Sequence, residues 1–138
     1  MKTSNVFLSS VVVVFSLFAA SAARCEDNNQ LPLDSLLGKY EGRMQIHNAW
    51  QQESDYQTEI VSVDKSANTV SLVAQCQKCT TKAWKRNNCA IIEAQKNIKF
   101  TCKTKFGDEE YIFNGESLKA TGYGPGNPFT ISVRKVVK

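Results

Sequence analysis

The sequence predicts an all-β protein: an eight-stranded antiparallel meander closing into a barrel, preceded by one short helical turn. Three observations carry this. From Lys39 onward apolar and polar residues alternate with period two, which places one face of each strand in a core. Turn-forming clusters recur every dozen residues or so, the spacing of an all-β meander. Finally, Asn114-Gly115 lies between two alternating runs, a strong short-range hairpin signal.

Element by element, Leu31, Leu33, Leu36 and Leu37 with Asp34 and Ser35 make one helical turn that Gly38 ends. In the first strand Tyr40, Gly42, Met44 and Ile46 share a face, and Lys39, Glu41, Arg43 and Gln45 take the other. The second strand runs from Tyr56 to Val63, where a slip in alternation between Ile60 and Val61 predicts a bulge. Asp64 to Asn68 is turn chemistry. Val70, Leu72, Ala74 and Cys76 form the inward face of the third strand. Residues 77 to 88 are polar and basic and read as a loop. The remaining strands are Cys89 to Ala94, Ile98 to Lys103, Glu109 to Phe113, Glu116 to Gly122 and Phe129 to Val136.

Two hairpins give registers. A two-residue type I′ loop at Asn114-Gly115 pairs Phe113 with Glu116 and Tyr111 with Leu118. A three-residue loop at residues 95 to 97, with Asn97 left-handed, pairs Ala94 with Ile98, Ile92 with Phe100 and Ala90 with Cys102. That register gathers Ala90, Ile92, Ala94, Ile98, Phe100 and Cys102 on one face, and a one-residue slip would set Glu93 against Phe100.

The N-terminal segment has the layout of a secretory signal peptide: Lys2, an apolar run from Val6 to Ala20, then Ser21-Ala22-Ala23. Its run of about 15 residues is shorter than a membrane-spanning helix needs. Residues 1–23 are therefore expected to be removed, with residues 24–138 forming one secreted or periplasmic domain without a transmembrane segment. Cys25 behind the cleavage zone raises lipidation as a rival, which Arg24, in place of a small residue, opposes. The formal charge of +4, falling to +3 without Lys2, is too evenly mixed with Asp and Glu for a nucleic-acid binder.

Cys76-Gln77-Lys78-Cys79 has the spacing of redox and zinc motifs. No helix follows to activate a thiol, and Cys89 and Cys102 do not form a second C-x-x-C. In an oxidising compartment structural disulfides are expected instead. With Cys76 and Cys102 both on inward faces and Cys89 on the outward face of its hairpin, the expected bridges are Cys76 to Cys102 and Cys79 to Cys89.

No catalytic constellation emerges. His47, the only histidine, sits on the solvent side of the first strand with no nucleophile at recognisable spacing. Glu109 and Glu110 are adjacent and so on opposite faces, which reads as solvated surface. Lys78, Lys82, Lys85 and Arg86 surround Trp84 in the 77–88 loop. Either this is a contact site for an acidic protein partner, or the Trp folds back over a barrel edge. The glycine-rich segment 122–128 is either a lid at a barrel mouth or a plain connection.

The helical turn, Gly38-Lys39-Tyr40 at the head of an eight-strand meander and Arg134 on the last strand resemble the lipocalin and calycin barrels. There a Gly-x-Trp ring on the first strand is covered by an arginine from the last. Tyr40 replaces the Trp, no second family motif follows, and the chain is short for the family. The resemblance implies a barrel with room for one small ligand. The expected function is accordingly a non-enzymatic binding protein for a small apolar or amphipathic ligand, without a cofactor or metal. Tyr40, Met44, Phe100, Tyr111, Phe113 and Phe129 would line its cavity. The alternative is a secreted interaction or inhibitor module with a solid core, touching its partner through Trp84, Lys82, Lys85 and Arg86.

Overall fold

The computed structural model describes residues 30–137. The proposed signal peptide and Cys25 lie outside the described residues. A 3-10 turn at Leu33–Leu36 leads into β1 (Gly38–Ile46), β2 (Gln52–Asp64), β3 (Thr69–Cys76) and β4 (Ala83–Ala94). These are followed by β5 (Ile98–Thr104), β6 (Gly107–Phe113), β7 (Ser117–Tyr123) and β8 (Pro128–Lys135). The strands pair antiparallel in sequence order, and β8 returns to pair with β1, which closes the barrel and leaves no open sheet edge.

Where β1 and β8 meet, a Cβ on Gly42 would lie 2.2 Å from the Ser132 carbonyl oxygen. Only glycine permits that backbone approach. The expected bulge in β2 is present, with a register shift between Ile60 and Ser62.

One end of the barrel is closed. Leu36 of the 3-10 turn is fully buried there with Tyr40, Ile98, Phe113 and Leu118, and Tyr40 meets Phe113 edge to face at 5.9 Å. The Tyr40 hydroxyl donates to the Leu36 carbonyl at 2.7 Å, tying the turn to β1. A cation from β8 does cover the Tyr40 ring, but it is Lys135, 6.0 Å from the Tyr40 centroid and 5.9 Å from that of Phe113. Arg134 pairs opposite Glu41 and is exposed, because Tyr40 is in register with Lys135.

β4 departs most from expectation. It begins at Ala83, so half of the expected 77–88 loop is strand. It also carries two irregularities. Its register against β3 shifts between the Leu72–Arg86 and Val70–Cys89 pairs, around Asn88 at φ 57°. Its register against β5 shifts between Ile91 and Glu93. Each shift moves the inward face by one residue. Trp84 and Arg86 therefore face inward, then Cys89 and Ile91 do, while Ala90 and Ile92 are exposed. The expected pair Ala94 with Ile98 is present; the pairs Ile92 with Phe100 and Ala90 with Cys102 are replaced by Ile91 with Phe100 and Ala90 with Thr101.

This displacement decides the cysteines. The register that pairs Ala90 with Thr101 sets Cys89 opposite Cys102, both buried, and they are bridged with Cα atoms 4.4 Å apart. Cys76 is bridged to Cys79 across the tight turn at the end of β3. The expected bridges Cys76 to Cys102 and Cys79 to Cys89 are thus corrected, because the bulges turn Cys89 inward.

The β6–β7 connection is also longer than expected. Phe113 pairs with Leu118 and Tyr111 with Ala120, across a loop in which Asn114 Oδ1 accepts from the amides of Glu116 and Ser117. The shift is two residues, so Tyr111, Phe113, Leu118 and Ala120 still share the inward face. Asn97 does not take a positive φ; Gln51, Asn68 and Asn88 are the non-glycine residues that do among those described.

Candidate functional site: the open barrel mouth

At the end opposite the 3-10 turn, the β3–β4, β5–β6 and β7–β8 connections and the end of β1 surround an open cavity of about 500 Å³. Its apolar lining includes Met44, Ile46, Trp84, Phe106 and Phe129, with Tyr123 and the Cys79 sulfur at the rim. Met44 Sδ lies 3.6 Å from Cys79 Sγ, so the Cys76–Cys79 bridge packs on the mouth.

The expected lining residues divide. Met44 and Phe129 border the cavity. Tyr40, Phe100, Tyr111 and Phe113 lie deeper, each at most 1% exposed, with Phe100 stacked on Tyr111 at 4.6 Å. They fill the barrel below the mouth rather than bordering it.

The expected partner-contact set divides as well. Lys82 and Lys85 are exposed, Lys85 on the outward face of β4. Trp84 and Arg86 project inward from the same strand, and Trp84 packs on the core with its ring 5.9 Å from Tyr56. The external patch centred on Trp84 is therefore corrected: strand alternation sends the tryptophan and the arginine to the cavity and the lysines to solvent.

Sequence reasoning missed Glu109. It is 2% exposed and forms a two-pronged pair with Arg86: Nε donates to Oε1 and Nη2 to Oε2, both at 3.0 Å. The Tyr111 hydroxyl also donates to Oε1 at 3.0 Å. Paired geometry of this kind offsets the cost of burying both charges. Burial acts to lower the Arg86 pKa, but the Glu109 carboxylate outweighs it and holds the guanidinium above its ordinary value. The signal was available, since Glu109 is in phase with the inward Tyr111 and Phe113.

Gly122 makes this arrangement fit. A Cβ there would lie 2.6 Å from the Phe129 ring and 2.9 Å from Glu109 Cγ. Burial pushes the phenols of Tyr56 and Tyr111 well above their ordinary range, and the nearby Glu109 charge adds to it. Trp84 Nε1 and the Tyr56 hydroxyl are buried with no hydrogen-bond partner among the described residues.

His47, expected on the solvent face, is half-buried with Nε2 3.2 Å from Thr130 Oγ1. A second hollow of about 330 Å³ over β1–β4 is bordered by outward Lys39, Glu41, Gln57, Glu59, Gln75 and Lys85. Tyr40 and Trp84 also border it, but its rim is mostly solvated side chains of mixed sign. Among the described residues no three His, Cys, Asp or Glu side chains are grouped to hold a metal, and no helix is long and apolar enough to cross a membrane.

In comparisons with known proteins, no protein family, no curated protein and no solved structure matches this chain. What is established is the architecture itself: a closed eight-stranded antiparallel meander barrel, stapled by two disulfides, with one capped end and one open end.

Proposed function

We propose that this chain is an exported, non-enzymatic binding protein that holds a small apolar or amphipathic ligand in the open mouth of its barrel. The observation that carries this reading is the cavity of about 500 Å³ between Met44, Trp84 and Phe129, within the size range of small-molecule sites. Two features support it. The aromatic core beneath the mouth gives the site a rigid floor, and the connections around the mouth supply a rim that differs in composition from the strands. The disulfides and the signal-like N-terminal segment favour an extracellular or periplasmic setting. The cap at the opposite end, with Lys135 over Tyr40, is the feature closest to the lipocalin pattern.

The alternative, an interaction module working through an external Trp84 loop, loses its main support because Trp84 faces inward.

The test uses the Trp50→Phe chain, which leaves Trp84 as the single tryptophan. Titration with a fluorescent fatty-acid analogue should change Trp84 emission saturably, and Ile46→Phe, which narrows the rim, should weaken binding. Absence of saturable binding by both fluorescence and calorimetry would refute the reading.

A further inference from the structure

We infer that the mouth selects an amphiphile carrying a carboxylate, with the acid group on the free end of the Arg86 guanidinium and the apolar body between Trp84, Met44 and Phe129. This rests on the proposed mouth-binding reading and specifies its ligand class.

The argument begins with a count of donors. A guanidinium has five N–H groups. In Arg86, Nε and one Nη2 hydrogen go to Glu109, and Nη1 donates to the Lys85 carbonyl at 3.3 Å. One N–H on each terminal nitrogen is left, two charged donors to serve the two oxygens of a carboxylate. The Arg86 side chain is 23% exposed, whereas Glu109 is 2% exposed. A ligand in the mouth therefore reaches the arginine more readily than the acid.

Charge around the cavity points the same way. Its border holds Lys78, Arg86 and Lys105 against a single acid, Glu109, which Arg86 neutralises. Lys78 and Lys105, on neighbouring connections, have no ion-pair partner among the described residues, Lys105 lying 5.1 Å over the Phe106 ring. A cationic ligand would face these lysines and find the only carboxylate already holding three hydrogen bonds.

Arg86 also lies over the Trp84 ring, 5.9 Å from its centroid. The guanidinium is thereby held between the Glu109 carboxylate and an aromatic face, which orients its free edge before any ligand arrives. Preorganisation of this kind lowers the ordering cost of binding. The apolar walls beginning at Trp84 continue through Met44 to Phe129, so an acid group at Arg86 places an attached tail along them.

The experiment compares decanoate, decanol and decylamine against the Trp50→Phe chain, reading Trp84 emission and calorimetric heat. Decanoate should bind about tenfold more tightly than decanol, the scale of one charge-assisted contact, and decylamine should bind most weakly. Raising the salt concentration should erode the decanoate affinity and leave that of decanol unchanged. In the Lys78→Gln/Lys105→Gln double variant decanoate should weaken while decanol does not. The Arg86→Gln/Glu109→Gln double variant, which keeps a neutral hydrogen-bonded pair, should lose the preference for acid over alcohol. Equal affinity for decanoate and decanol, or tightest binding of decylamine, overturns the inference while the mouth-binding reading stands. Failure of all three to bind removes the reading and the inference together.

Discussion

The two ends of this barrel are built from the same strands and differ in what fills them. At the capped end, Leu36, Tyr40, Phe113 and Leu118 are fully buried, and the Tyr40 hydroxyl has its hydrogen bond. At the open end, a buried ion pair, an unpartnered indole N–H and aromatic walls surround a cavity. Apolar burial stabilises the first region without further conditions. In the second, groups that are costly to bury are retained, which is the pattern of a site rather than of a core.

The largest effect should come from alkali, which acts on both ends together. Tyr40, Tyr56 and Tyr111 have folded pKa values raised by burial, Tyr56 and Tyr111 also by the Glu109 charge. In the unfolded chain each loses its proton near pH 10. Above that pH the unfolded state binds fewer protons than the folded state, so stability is intact below about pH 10 and falls as the pH rises further. Denaturant titrations at stepped alkaline pH should show this fall. Phenolate absorbance of these three residues should appear only together with loss of near-ultraviolet circular dichroism. Earlier ionisation of all three would show that the barrel is not sealed beneath its mouth.

Phe113→Ala at the capped end should cost about 3–5 kcal/mol in chemical denaturation, the range for deleting a buried aromatic. Phe129→Ala at the mouth should cost less, because its ring borders a cavity and leaves less new empty volume. Equal costs would erase the proposed distinction between the ends.

The two disulfides sharpen the comparison. Replacing Cys89 and Cys102 with Ala opens a closure spanning 13 residues and should cost about 3 kcal/mol in the chain-entropy model. Replacing Cys76 and Cys79, 3 apart, should cost about 2 kcal/mol and also loosen the mouth where Cys79 meets Met44. Both are read from denaturant midpoints, and the second also from the affinity of the fluorescent probe. A larger loss from the Cys76–Cys79 pair would mean that the mouth, not the core, limits stability.

Glu109→Ala strands Arg86 beside apolar neighbours and should cost about 2–3 kcal/mol, below the figure for a fully buried pair because Arg86 is partly exposed. The paired replacement Glu109→Met with Arg86→Met should recover most of that stability, as apolar substitutes for buried pairs do. If it does not recover, the pair is a structural requirement of the barrel and its role as a retained site is lost. Trp84→Phe has the smallest expected effect, within about 1 kcal/mol, since it removes a buried donor that has no partner while keeping an aromatic wall.

Legibility in the sequence followed the regularity of the strands. The alternating runs of β1, β3, β6, β7 and β8 placed their inward faces correctly, and a two-residue error in the β6–β7 loop was harmless because faces repeat with period two. In β4 two one-residue irregularities each reversed the face. They concealed the Cys89–Cys102 bridge and made an inward Trp84 and Arg86 resemble a basic loop. Asn87-Asn88 was the available hint, since Asn accepts the left-handed conformation that Asn88 adopts. Glu109 was misread for another reason: its type suggested surface, although its phase with Tyr111 and Phe113 placed it inside.

The sequence by itself determined the all-β class, the eight-strand order and the apolar faces of the regular strands, because periodicity and turn chemistry are local properties. Only the tertiary structure decided which cysteines pair, which end of the barrel is capped, and that Arg86 and Glu109 meet inside. Those outcomes depend on bulges and on registers between strands distant in sequence. A shift of one residue there exchanges core for solvent while leaving the local pattern almost unchanged.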